Sequence, residues 1–182
     1  MKQKYNFLLL TSLIGLLLIC GCKINQQLLN LKKININDTK IGIESEYFNG
    51  TIFTEKYPFN EYFNNKTESI VYWTPSEIDI SKIENDLRAQ LNKLARNNPM
   101  NGYDDCPKIH KNLNHYYRQY VGIENEKGEK IVHINFLWDK NRDTYGYDEE
   151  YIQVFDGCSY YWEINFNLTT NQFFGLWING VA

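Results

Sequence analysis

Apolar positions change period several times along this chain. From Phe7 to Ile19 they run almost unbroken, behind Lys2 and Lys4 and ahead of Cys20-Gly21-Cys22. From Lys23 to Lys40 they thin to scattered Leu and Ile among Asn, Gln and Lys, where Leu28, Leu31, Ile34 and Ile36 support a short helix or strand at most. Ile80, Ile83, Leu87, Leu91 and Leu94 then recur at steps of three and four, the period of one amphipathic helix. Ser76 and Ser81 are candidate N-caps, Ser81 with Glu84 makes a capping box, and Asn97-Asn98-Pro99 stops the helix. Glu84, Asp86, Arg88, Lys93 and Arg96 read as lying off the apolar stripe.

The remaining segments read as strands. Glu46 to Glu55 mixes β-branched and aromatic residues around Asn49-Gly50, as a bulged strand or a tight hairpin. Tyr57 to Lys66 reads as loop, and Ser69 to Thr74 as a short strand ended by Pro75. His115 to Ile123 and Lys130 to Trp138 flank the turn Glu126-Lys127-Gly128. After a polar loop, Asp139 to Glu149, the segments Glu150 to Phe155 and Cys158 to Asn167 flank Asp156-Gly157, a strong two-residue hairpin signal. That register sets Phe155 against Cys158 and Tyr151 against Trp162, with Tyr160 and Trp162 assigned to the core. Gln172 to Ile178 forms the last strand. The order predicts an α+β domain over 46–182, with one amphipathic helix covering a four- to six-strand antiparallel meander. In outline this resembles cystatin-like architectures, and less closely NTF2-like sheets. The likeness is topological and brings no functional motif.

The leader resembles bacterial lipoprotein signals. A signal h-region holds roughly 7–15 apolar residues, shorter than a membrane span, and Phe7 to Ile19 suits it. Ile19-Cys20-Gly21-Cys22 matches the lipoprotein box except that Cys20 stands where a smaller or aliphatic residue is usual. The resemblance implies removal of residues 1–21, lipid on Cys22, and a lipidated tether over 22–45. It implies anchoring to the bacterial envelope, with the membrane as a partner through that lipid. Lys23 rather than Asp after the cysteine favours the outer membrane if the source is Gram-negative.

Charge and cysteines narrow the picture. Without the leader the 19 basic residues fall by two, to 17, against 22 acidic ones, a net charge of −5. No basic face for nucleic acid is expected. Of four cysteines, Cys106 and Cys158 remain in a compartment that permits disulfides. They form either one bridge or two separate buried thiols. Neither has a His at ligand spacing, so no metal site is expected.

Candidate chemistry is sparse. His110 and His115 read as solvated and His133 as packed on the sheet. Asp104 and Asp105 suit an Asx turn better than a calcium loop. There is no Gly-x-Ser-x-Gly, P-loop, Gly-x-Gly-x-x-Gly or His-Glu-x-x-His, so no catalytic residue and no cofactor is assigned. Fourteen tyrosines crowd the chain, and Tyr145 and Tyr147, with Arg142, are the candidate binding surface. These observations point to a non-enzymatic, envelope-anchored binding module of inhibitor or immunity type, with a protein partner. The alternatives are a structural or assembly factor of the envelope and an uncharacterised hydrolase. The chain is similar to the small lipoproteins of AT-rich bacteria.

Overall fold

The computed structural model describes residues 29–59 and 70–181. The leader and the Cys22 acceptor lie outside the described residues. The domain is α+β, built on one eight-stranded sheet. Its elements are β1 (Lys32–Asn37), β2 (Lys40–Glu44), β3 (Asn49–Phe53), β4 (Val71–Trp73), α1 (Glu77–Ala95), β5 (Tyr116–Glu124), β6 (Lys130–Trp138), α2 (Arg142–Tyr145), β7 (Tyr161–Asn167) and β8 (Gln172–Ile178). Strand order is β1-β2-β3-β5-β6-β7-β8, and β4 pairs with β5 off this path.

Three expectations change. The sheet is larger than four to six strands, and a second, four-residue helix is present. The stretch assigned to the tether contains β1 and β2, a hairpin whose turn is closed by Asn37 Oδ1 accepting from the Thr39 amide at 2.8 Å. Its isolated Ile residues (34, 36, 41, 43) are the apolar positions of two short strands. The sheet is also not a pure meander, because β3 runs parallel to β5, joined through β4 and α1. Gly50 permits that pairing: a Cβ there would lie 2.8 Å from the Arg118 carbonyl oxygen. Asn49-Gly50 therefore sits inside a strand and turns no hairpin.

The helix forms where its period predicts. Its cap is Ser76 with Asp79, each side chain accepting from the other's backbone amide. Ser81 instead lies buried in the second turn and accepts from the Leu29 amide at 2.7 Å. Ile80, Ile83, Leu87, Leu91 and Ala95 bury against Val132, Ile134, Trp162, Ile164 and Phe166 on the sheet. Phe136 and Trp162 stack at 3.6 Å between ring centroids.

Glu84 is on this face, not off it. It is one helical turn from Ile80 and three residues from Leu87, so helix geometry turns it inward. Its carboxylate is wholly buried. It accepts from the Tyr120 hydroxyl at 2.8 Å and from Arg118 Nε at 3.4 Å. The Arg118 guanidinium is equally buried, over Phe48 at 4.5 Å and Phe136 at 5.3 Å. The pair is compensated internally, as a buried charge requires.

Candidate functional site

Between β6 and β7 the chain crosses the sheet face opposite α1. A 3-10 turn at Asp139–Asn141 leads into α2, and Gly146 ends α2 with φ +61°. Within the following stretch, 147–156, Glu150 to Phe155 was expected to pair with β7 as a hairpin. It cannot, because both edges of β7 are occupied, by β6 and by β8. It lies as a strap across the sheet instead. Gly157, at φ +81°, turns the chain into a 3-10 turn at Cys158–Tyr160. The expected facing pairs are therefore absent. Phe155 is 82% exposed, and Tyr160 sits at the rim, edge-on to Trp138 at 5.0 Å between centroids, while Trp162 alone of the two is core.

Amide side chains take the place of a partner strand. Gln119 donates to the carbonyls of Tyr147 and Glu150, at 2.8 and 2.7 Å, and accepts from the Ile152 amide at 3.0 Å. Asn135 donates to the Ile152 carbonyl at 2.6 Å, and Asn179 to those of Val154 and Asp156 at 2.6 and 2.9 Å. The Tyr151 amide donates to the Tyr57 hydroxyl at 3.1 Å. These bonds satisfy the carbonyls of Tyr147, Glu150, Ile152, Val154 and Asp156 and the amides of Tyr151 and Ile152. Underneath, His133 is sheet-packed as expected. Its ring nitrogens lie 3.0 Å from Asn165 Oδ1 and 3.0 Å from the Tyr151 hydroxyl. Burial lowers the pKa of His133, opposed by the nearby Glu163 carboxylate, and raises that of Tyr151.

The strap and α2 enclose a recess of about 310 Å³ lined by Tyr145, Tyr147, Ile152, Val154, Asp156 and Tyr161. Tyr145 is 56% exposed and stacks on Tyr147, with ring centroids 6.0 Å apart and planes 12° apart. Tyr147 itself is fully buried, so its ring is a wall of the frame and not the free surface residue expected. Burial, with the Tyr161 hydroxyl nearby, pushes its pKa up, and it stays protonated. Tyr161 accepts from Asn141 Nδ2 at 2.9 Å.

Arg142 does not join this recess. Its guanidinium lies over the Tyr117 ring at 4.7 Å and reaches Asp148 at 3.4 Å. It bounds a smaller groove of about 160 Å³ with Ile34, Ile36, Gly42 and Gly50 on the β1–β3 side. Tyr117 accordingly separates Arg142 from the Tyr145 recess. The recess members Ile152, Val154, Asp156 and Tyr161 were not singled out in the sequence. There they read as parts of the Glu150–Phe155 and Cys158–Asn167 strands and of the Asp156-Gly157 turn between them.

Cys106 and Cys158 form a disulfide, with Sγ atoms 2.07 Å and Cα atoms 6.3 Å apart. It ties the loop after α1 to the turn that follows the strap. Ser159 donates to the Pro107 carbonyl alongside it, and the Tyr116 hydroxyl donates to the Ser159 carbonyl at 2.6 Å. Among the described residues no group of three or more His, Cys, Asp or Glu is placed to hold a metal ion, and no helix is long and apolar enough to cross a membrane. No family model, curated protein or solved structure matches the chain.

Proposed function

We propose that this chain is a lipid-anchored, non-enzymatic binding protein of the bacterial envelope, of inhibitor or immunity type, and that it grips a protein partner at the Tyr145 recess. The observation that carries the reading is an exposed tyrosine seated on a frame already fixed by side-chain hydrogen bonds. A preorganised aromatic surface binds without first having to order itself, and tyrosine supplies large contact area at low entropic cost. The recess takes an apolar or aromatic side chain, with Asp156 at its rim to accept a hydrogen bond. The leader supports the anchor: Ile19-Cys20-Gly21-Cys22 places lipid on Cys22, and Lys23 suits an outer-membrane address in a Gram-negative cell.

The test is a pull-down from crosslinked cells with the lipidated protein, beside Tyr145→Ala. One stoichiometric protein retained by the first and lost from the second supports the proposal. A partner retained equally by both moves the binding surface elsewhere, and no partner under toxin or competitor challenge rejects the reading. The anchor is tested separately, since Cys22→Ala is expected to abolish acyl labelling and release the domain from membranes.

A further inference from the structure

On the opposite face of the sheet, a second recess of about 350 Å³ opens between α1 and the 3-10 turns Ile109–Lys111 and Leu113–His115. Four of its lining residues carry or can acquire positive charge: Arg88, His110, Lys111 and His115. The amides of Asn92 and Asn114 complete the polar wall, and no carboxylate lines it. In a chain of net charge −3 this is an unbalanced cluster. Among the described residues, none of the four forms an ion pair.

We infer that this recess is a binding site for an oxyanion, the phosphate, sulfate or carboxylate group of a small ligand. The volume falls within the range of small-molecule sites, roughly 300–1,000 Å³, so it holds such a group together with its substituent. Arg88 is the anchor. Its Nη1 donates to Asn114 Oδ1 at 2.9 Å, and its guanidinium is stacked on the Tyr47 ring at 4.2 Å, which fixes the plane of the fork. Nε and Nη2 are shielded from solvent and have no hydrogen-bond partner among the described residues, and neither has His110 Nδ1. Those two guanidinium nitrogens form an edge that, once turned out of the wall into the recess, can meet an oxyanion bidentately. The acid one turn away, Glu84, is already engaged by Arg118 and Tyr120. A half-buried guanidinium whose nearest acid, Glu84, is shared with Arg118 is under-compensated, and an anion in the recess supplies a further counter-charge. The Leu91 and Leu113 side chains add apolar lining.

The site is expected to respond to pH. Burial, with Lys111 and Lys108 alongside, lowers the pKa of His110. The charged and titratable groups around it are Arg88 from α1 and Lys108, Lys111 and His115 from the turns. Glu84 is spent on Arg118, so the balance is positive and His110 is neutral until an anion arrives. Binding then draws a proton onto the imidazole, and affinity rises as pH falls.

The chain has three histidines, and His133 lies on the far face of the sheet, bonded to Asn165 and Tyr151. Histidine-labelled full-length protein in non-ionic detergent therefore contains its own control. Sulfate, phosphate and acetate are titrated in turn and followed by imidazole NMR and by calorimetry. Saturable 1:1 binding is expected, moving the His110 and His115 signals and not that of His133. Sulfate or phosphate as the tighter ligand identifies a phosphate or sulfate ester, and acetate a carboxylate. Either upholds the site. Sulfate keeps its charge over the working range, so its binding is expected to tighten about tenfold from pH 8 to 6 through His110. Arg88→Gln is expected to weaken binding at least about tenfold. Lys111→Gln, at an exposed side chain that leaves the core untouched, is expected to weaken it several-fold. Absence of saturation at 20-fold excess over about 1 mM protein, equal movement of His133, or unchanged affinity in both variants would overturn the assignment.

Discussion

Glu84→Gln isolates the cost of an uncompensated buried charge. Glu84 and Arg118 both have fully buried side chains, 3.4 Å apart, and the guanidinium lies over two aromatic rings. Glutamine keeps an oxygen to accept from the Tyr120 hydroxyl, so that hydrogen bond survives. Only the negative charge is lost, and Arg118 is left ionised in an apolar setting. Removing one member of a buried pair costs about 3–5 kcal/mol. For a domain of total stability near ~5–15 kcal/mol this is a large share. The midpoint of thermal unfolding is expected to fall on the order of 10 °C. Urea unfolding followed by tryptophan fluorescence is the assay, with an unchanged slope showing that both variants unfold from the same compact state. The double variant Glu84→Gln with Arg118→Met, measured beside each single variant, removes both charges and keeps the acceptor for the Tyr120 hydroxyl. It is expected to recover at least half of the loss, giving a coupling free energy of opposite sign to the single costs. A single variant losing less than ~1 kcal/mol would refute the argument, as would a double variant that costs the sum of its parts.

Three other perturbations follow from the same geometry. Reducing the Cys106–Cys158 bridge, which spans 52 residues, is expected to cost about 4 kcal/mol by loop-closure entropy; unfolding midpoints with and without reductant check it, and an unchanged midpoint contradicts it. Gly50→Ala places a methyl 2.8 Å from the Arg118 carbonyl oxygen and is expected to cost about 1–3 kcal/mol by pushing β3 from β5. His133 is neutral when folded because burial lowers its pKa. The unfolded chain binds a proton below about pH 6.5 while the folded one does not. Stability is therefore full above that pH and declines as pH falls toward the lower folded value. His133→Gln is expected to remove part of that slope, and an identical pH–stability profile would contradict the assignment.

Much of the fold was legible where local pattern and tertiary role agree. The helix, the β5–β6 hairpin around Glu126-Lys127-Gly128 and strand β8 appear at nearly the expected positions. Legibility failed where partners are remote in sequence. The strap reads as a strand because it is extended and half apolar, but its hydrogen bonds go to Gln119, Asn135 and Asn179, amides that no local window connects to it. Glu84 was discounted for its charge although its spacing sets it inward, and only the sheet supplies Arg118. Tyr147 and Tyr145 are indistinguishable in sequence, yet one forms the wall and the other the free face. The cationic recess was hidden for the same reason: Arg88 lies 22 residues from His110 and meets it only once α1 docks on the turns that follow it.

The central claim, a protein partner held at the Tyr145 recess, is tested most directly by site-specific photo-crosslinking in intact cells. A photoreactive residue replaces Tyr145 in the lipidated protein, and in a parallel variant it replaces Lys127 in the exposed β5–β6 turn. The expected result is one discrete adduct from position 145, absent from position 127 and diminished by Tyr161→Ala. Adducts of equal yield at both positions, or none at 145 under toxin or competitor challenge, would contradict the account.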